Sequence, residues 1–373
     1  MMHALKKSEP SRPRCAVLDA LRFVLALWVT IGHYKMFPLF AGVNEATPVG
    51  RFLVHAWQSV VFGSPAVIVF FVISGFCIHF PYRGDRKVEV GRYYLRRYTR
   101  ILIPVAAALG VYQFVGQRFV WWGESSILWQ SPLWSLLCEE IYYAVYPLLR
   151  RLRCVVSWKR VIPIAFAVSV GVAAAQRHAV SWYDCGPLGT AVILLPVWLL
   201  GCLLAEEVET LQAMRADEWW RIWMWRFGVW FASWITEMAH FKAHLHLTQT
   251  MAWFGIIAYL WVKNEIAWSK THAPSRVLAW GGLWSYSLYL VHSQAADLWY
   301  VLNIQNVGPR LFWCGVILGS LVGAYAFYLV AERPSHRLAR WLGTARSDAA
   351  SGSAGWEPSN IGTDAGAANA TTI

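Results

Sequence analysis

Charge is scarce in this chain. Of 373 residues only 14% are Asp, Glu, Lys or Arg, while 57% are hydrophobic and the mean hydropathy is +0.39. A soluble domain carries far more charge than this, and no single core of this size could bury so much apolar surface. The scarcity excludes an ordinary soluble fold and implies an all-α polytopic membrane protein. Cysteine is sparse as well: seven residues, none in a C-x-x-C pair and most inside apolar runs. That pattern excludes a disulfide framework or a zinc ribbon and leaves the cysteines as small buried side chains. Acidic residues number 21 against 33 basic ones, a formal net charge of +12. The basic residues lie between apolar runs rather than in one contiguous domain, so no nucleic-acid partner is expected. No cleavable leader is expected either. The basic start MMHALKKSEPSRPRC runs into an apolar stretch that contains Arg22 and no small-residue cleavage site, so it is expected to remain as the first span.

What is present is a series of ten apolar segments of membrane-spanning length. They run approximately over 17–40, 55–82, 101–120, 133–149, 161–176, 187–205, 222–239, 248–262, 277–302 and 311–330. An even number puts both termini on one side. Apart from Arg22 within the first segment, 26 Lys and Arg fall on the side of the termini and 6 on the other. The positive-inside rule therefore predicts cytoplasmic termini in a multi-pass cell-membrane protein, with a bacterial inner membrane expected. Three regions follow: a cytoplasmic segment 1–16, a ten-helix domain 17–341, and a tail 342–373. The tail is rich in Ala, Gly, Ser, Thr and Asp, a composition that predicts disorder.

Polar side chains inside spans are costly unless paired or turned to a wet cavity, which makes them informative. In LDALRFVLALWVTIGHY, Arg22 and His33 are 11 residues apart, close to three turns. They share one helix face about 16 Å apart, with Arg22 toward the cytoplasm and His33 toward the outside. A snorkelling Arg and an interfacial His would look the same. GSPAVIVFFVISGFCIHFPY carries Ser74 next to Gly75, a pair suited to close helix approach. RYYLRRYTRILIP clusters Arg96, Arg97 and Arg100 within about a turn, a pattern that suits phosphate and also satisfies topology alone. SPLWSLLCEEIYYAVYPLL contains Trp134, Ser135, Glu139 and Glu140. The two carboxylates are expected to enter from the outside at the level of His33, and a buried carboxylate needs a partner. GGLWSYSLYLVHS adds Ser285, Tyr286, Tyr289 and His292, and Glu332 precedes Pro334 by two residues. His240, His244 and His246 have partial zinc spacing but lack the H-E-x-x-H context, and no metal site is expected. The Trp-rich run EWWRIWMWRFGVWFASW fits an interfacial belt better than a sugar-stacking platform.

Taken in order, these elements resemble the acyltransferase 3 family of integral membrane acyltransferases, from about Val17 to Leu338. The family's Arg, ten residues, His pattern is matched by Arg22 and His33, and its FFVISGF run by Phe70 to Phe76. Its Arg-Arg-x-x-Arg element falls on Arg96, Arg97 and Arg100, and WSL-x-x-E on Trp134 to Glu139. SYSLYL-x-H falls on Ser285 to His292, and E-x-P on Glu332 and Pro334. The resemblance implies transfer of an acyl group, commonly acetyl, from cytoplasmic acyl-CoA to a hydroxyl or amine of a saccharide or lipid-linked acceptor. Acyl-CoA would be a co-substrate, with no tightly bound cofactor.

The residues suit that chemistry. A thioester is electrophilic enough, and what is missing is a deprotonated acceptor, which an imidazole can supply. His33 is the candidate, as general base or as acyl carrier. Glu139 is expected to orient His33 or the acceptor, Arg22 to stabilise the oxyanion or hold the phosphopantetheine end, and Arg96, Arg97 and Arg100 to bind CoA phosphates. Ser74, Trp134, Ser135, Tyr286, Tyr289, His292 and Glu332 are expected to support the site. The competing reading is a secondary transporter of a small polar solute, which would share the intramembrane ions but has no need of the arginine cluster.

Overall fold

The computed structural model describes residues 16–84, 86–114, 133–179, 182–302 and 305–352. Helices dominate it, and no strand occurs among the described residues. The first, α1 (Ala16–Tyr34), ends where Lys35 turns left-handed. A short amphipathic helix α2 (Pro48–Gln58) follows, with Thr47 capping its start through a 3.1 Å bond from the Gly50 amide. Val49 and Phe52 stand exposed on it, as on a helix that lies in a membrane interface. The predicted span 55–82 is therefore divided between the end of α2 and α3 (Gly63–His79), with residues 59–62 outside both helices.

The chain continues through α4 (Val90–Phe114), α5 (Trp134–Val155), α6 (Trp158–Ala175), α7 (Trp182–Glu207), α8 (Trp219–Ala243) and α9 (Leu247–Ser269). It closes with α10 (Arg276–Gly281), α11 (Ser285–Val301), α12 (Pro309–Phe327), a π-turn at Tyr328–Glu332 and α13 (Arg333–Gly352). Part of the predicted span 101–120 falls outside the described residues. So do the N-terminal segment to residue 15 and residues 353–373, while α13 carries the helix past the point where the composition predicts disorder.

Among the described residues, five helical stretches are long and apolar enough to cross a membrane: Ala16–Tyr34, Pro48–Tyr82, Trp158–Ala175, Asp184–Glu207 and Pro309–Leu342. The other long helices carry ions along their length, such as Arg97 in α4, Glu139 in α5, Arg226 in α8 and Glu265 in α9. Those ions lower their apolarity and call for partners. Arg226 and Glu265, for example, form a two-pronged pair at 2.7 and 3.0 Å between α8 and α9.

The bundle is centred on α3 and α7, which pack along each other and against α1, α9 and α5. Their backbones touch. A Cβ on Gly75 would collide with the carbonyl of Trp198, and one on Gly201 with that of Val72, so the glycine after Ser74 is there for close approach. The predicted span 277–302 breaks at Gly281 and Gly282 for a related reason. Here α10 presses on α1, and added Cβ atoms would strike the Phe23 ring and the Asp19 carbonyl.

Proline kinks are met by side chains. Pro147 within α5 has no N–H to give the Tyr143 carbonyl, and Tyr93 of α4 donates to that oxygen at 3.0 Å while Tyr94 donates to Ala144 at 2.6 Å. The tyrosines of RYYLRR thus fasten α4 to the bend of α5 and fix where the arginines after them point.

Candidate active site

Between α1, α3, α4, α5, α11 and the π-turn lies a cavity of about 390 Å³. Three guanidinium groups line it, from Arg22, Arg97 and Arg100, together with Glu139, Glu140 and Glu332. Arg22 is 26% exposed, reaches Cys77 Sγ at 3.1 Å and pairs loosely with Asp19 at 3.5 Å. Arg97 stacks on the Tyr143 ring at 3.7 Å. Arg100 donates from Nε to His336 Nε2 at 2.9 Å. Arg96 does not line the cavity, so the clustered triplet divides into two cavity residues and one outside it.

Glu139 is held by a directed chain of hydrogen bonds. The Trp198 indole N–H donates to Ser74 Oγ at 3.3 Å, Ser74 meets Tyr143 Oη at 2.7 Å, and Tyr143 donates to Glu139 Oε2 at 2.6 Å. Each hydroxyl has a single proton, and Tyr143 gives its own to the carboxylate, so Ser74 must donate to Tyr143. Ser74 is in this way a support for Glu139, and Tyr143 is a site residue that sequence motifs alone did not single out. Glu332 accepts the Ser287 amide at 3.1 Å and the Ser287 hydroxyl at 2.6 Å. Its carboxylate thereby caps the N-terminus of α11, where free amides and the helix dipole favour an anion. Tyr286 and Glu140 line the same cavity, and each holds a buried oxygen, Oη and Oε2, without a hydrogen-bond partner among the described residues.

His33 is elsewhere. Its Nδ1 lies 2.9 Å from His292 Nε2, and the two rings stack with centroids 4.9 Å apart. The expected pairing of Glu139 with His33 is absent, which corrects the depth read from the sequence. The N-terminal end of α5 meets α11 through Ser135 Oγ and Tyr289 Oη at 2.6 Å, and Glu139 sits a turn further along, among the arginines. Trp134 stacks on Trp182 with centroids 5.5 Å apart and supports this corner without lining the cavity.

The histidine pair has a defined proton order. His292 Nδ1 faces the carbonyls of Tyr289 at 2.9 Å and Leu288 at 3.1 Å. Carbonyls only accept, so Nδ1 carries the proton and a neutral His292 presents its Nε2 lone pair. His33 Nδ1 must then donate to it, which leaves the basic lone pair of His33 on Nε2. His292 is fully buried, and its own carbonyl accepts from Tyr34 of α1 and from Ser320 of α12 at 3.1 Å. Three helices fix its place.

An arginine-lined cavity thus lies at one end of α1 and an oriented imidazole at the other, and the sequence that builds them matches a known family. The chain belongs to the acyltransferase 3 family. The family's acyltransferase domain matches residues 16–329, so the protein is a membrane acyltransferase. Among curated relatives it is similar to the acyltransferase MdmB of Streptomyces mycarofaciens, 26% identical over 393 residues that cover 88% of this chain and 93% of the relative. No solved structure matches the chain. Family membership sets the transporter reading aside.

Proposed function

We propose that this acyltransferase takes an acyl group, acetyl in the simplest case, from acyl-CoA on the arginine-rich side. It delivers the group to a hydroxyl or amine of a saccharide or lipid-linked acceptor on the other side of a bacterial inner membrane. In this reading all ten long segments span the membrane and both termini are cytoplasmic. The observation that carries it is the division of labour along α1. Arg22 lies in a cavity rich in guanidinium groups, and His33, 11 residues further along, presents an oriented basic nitrogen.

Arg97 and Arg100 would meet the anionic arm of the donor with charge-assisted hydrogen bonds. Arg22 would face the thioester carbonyl, where negative charge grows as the acceptor attacks. His33 Nε2 would take the acceptor proton as its oxygen bonds to the acyl carbon; the C–S bond then breaks and the proton passes to the departing CoA thiolate. During that step His33 is an imidazolium, and its Nδ1–H bond to neutral His292 becomes charge-assisted. Ser135 and Tyr289 stand between the cavity and the histidines, so their 2.6 Å bond has to open for the thioester to reach His33.

The direct test uses purified full-length protein in nanodiscs with radiolabelled acetyl-CoA and a panel of lipid-linked and free saccharides. Label should move to an acceptor in the wild type and not in His33→Ala, with equal amounts of folded protein. Activity of His33→Ala above about a tenth of wild type, a loss of less than about 1.4 kcal/mol in barrier terms, would remove His33 from the chemistry.

A further inference from the structure

A second pocket, about 620 Å³ and open to solvent, lies beside the first at the arginine-rich end of the bundle. Arg83, Gly84, Arg86, Arg150, Arg153, Cys154, Glu206 and Glu209 form it. Four guanidinium groups therefore face two carboxylates. Arg153 engages Glu206 through two bonds of 2.7 and 2.8 Å, and Arg83 pairs with Glu209. Among the described residues, that leaves Arg86 and Arg150 in excess.

Arg150 is only 8% exposed. Its donors go to the backbone carbonyls of Tyr82, Gly84 and Arg86 and to Cys154 Sγ, and it has no carboxylate within 4 Å among the described residues. Carbonyl contacts satisfy N–H groups without neutralising the charge, so a buried cation is left wanting an anion. The same contacts hold the backbone of Tyr82, Gly84 and Arg86 against α5, with Arg83 and Arg86 lining the pocket beside it. Nothing in the lining is aliphatic or aromatic, so the pocket offers no wall to an acyl chain and suits a water-soluble phosphorylated group.

The neighbouring cavity supplies the rest. Phe80 lines the cavity of Arg22, and the guanidinium of Arg83 sits 3.9 Å over its ring. One stacked pair, Phe80 and Arg83, thus stands between the two spaces. The first cavity is near the small end of the range for ligand sites, large enough for a thioester arm, whereas CoA continues into a nucleoside that carries a 3′-phosphate.

We propose that the Arg83–Arg86–Arg150–Arg153 pocket is a phosphate site that binds the 3′-phosphate of the acyl donor's adenosine. The pantetheine arm passes Phe80 into the cavity of Arg22. This rests on the donor reading given above. The 3′-phosphate takes no part in acyl transfer, so the pocket sets donor specificity and not chemistry.

The test compares acetyl-CoA with acetyl-dephospho-CoA, which lacks only that phosphate, in the nanodisc assay. Wild type should show a KM for the dephospho donor about tenfold higher, the worth of one charge-assisted contact. In Arg86→Gln and in Arg83→Gln/Arg86→Gln this ratio should fall to about one. Equal KM values in the wild type, or a ratio that survives both variants, would overturn the assignment while leaving acyl-CoA as donor. No transfer from either donor would instead overturn the donor reading and this inference with it. Binding of 3′,5′-ADP in preference to 5′-ADP by the same protein gives a readout independent of turnover. If neither nucleotide binds and the variants instead lose thermal stabilisation by phosphatidylglycerol, the pocket holds a lipid headgroup and the proposal fails.

Discussion

Replacing His292 with Ala tests the proton order of the histidine pair at a residue that no substrate would touch in the proposed reaction. The side chain does one thing for His33: its Nε2 accepts the Nδ1 proton at 2.9 Å, with the ring pinned by two backbone carbonyls. In the resting enzyme that is a neutral hydrogen bond, worth about 0.5–1.5 kcal/mol. Once His33 has taken the acceptor proton the same bond has an ionised donor and is worth about 1.5–3 kcal/mol. Only the difference lowers the barrier, and loss of tautomer and ring orientation adds to it. The expected fall in kcat is about ten- to a hundredfold, since each 1.36 kcal/mol is a factor of ten. KM for acyl-CoA should stay within about twofold of wild type, because Arg22, Arg97 and Arg100 lie in the cavity and His292 does not. The assay is steady-state transfer in nanodiscs with both substrates varied, alongside thermal unfolding to confirm that the bundle remains folded. His33→Ala and the double variant complete a cycle. If His292 acts through His33, the double variant is no slower than His33→Ala alone. Independent multiplication of the two losses, or a His292→Ala enzyme with more than half of wild-type kcat, would refute the positioning role.

Three further outcomes are expected. Arg97→Gln and Arg100→Gln should each raise KM for acyl-CoA by about tenfold or more, and Arg96→Gln by much less; equal effects of all three would mean that the arginines act through topology. Gly75→Ala should destabilise the bundle by about 1–3 kcal/mol through overpacking, because its Cβ meets the Trp198 carbonyl; a lowered melting temperature reads this out, and an unchanged one would show that α3 and α7 separate freely. A cysteine at Gly42 should react with a membrane-impermeant thiol reagent in intact spheroplasts, and one at Lys87 only after lysis. The reverse pattern would place His33 on the donor side.

Hydropathy located the helices because the need to bury backbone polar groups acts on whole segments. It missed breaks that depend on a neighbour. Gly281 and Gly282 read as part of one apolar run, and they end α10 because α1 lies against them. The split of 55–82 is different, since the amphipathic pattern of Pro48–Gln58 is present in the sequence but merges with the apolar run that follows.

The candidate site divides along the same line. Within one helix, spacing fixes relative position, and the Arg22-to-His33 interval survives folding because both residues lie on α1. Between helices, depth depends on where each one enters the bundle, and no local pattern encodes that. The loop before α5 places Glu139 at the level of His33 by sequence, whereas in the bundle Ser135 bonds Tyr289 and Glu139 shares the cavity of Arg97. The histidine partner comes from 259 residues away.

Motif membership by itself also does not separate chemistry from architecture. Gly75 and Glu332 fall in the same family elements as the cavity residues, yet one permits a backbone contact and the other caps α11. Glu332 does both kinds of work at once, because its carboxylate lines the cavity while it holds the Ser287 amide. A carboxylate committed in that way is poorly placed to exchange protons with a substrate, whereas an imidazole with one nitrogen tethered and the other open is well placed to do so. That difference in hydrogen-bond occupancy, rather than recurrence in a motif, is the physical ground for placing the base at His33.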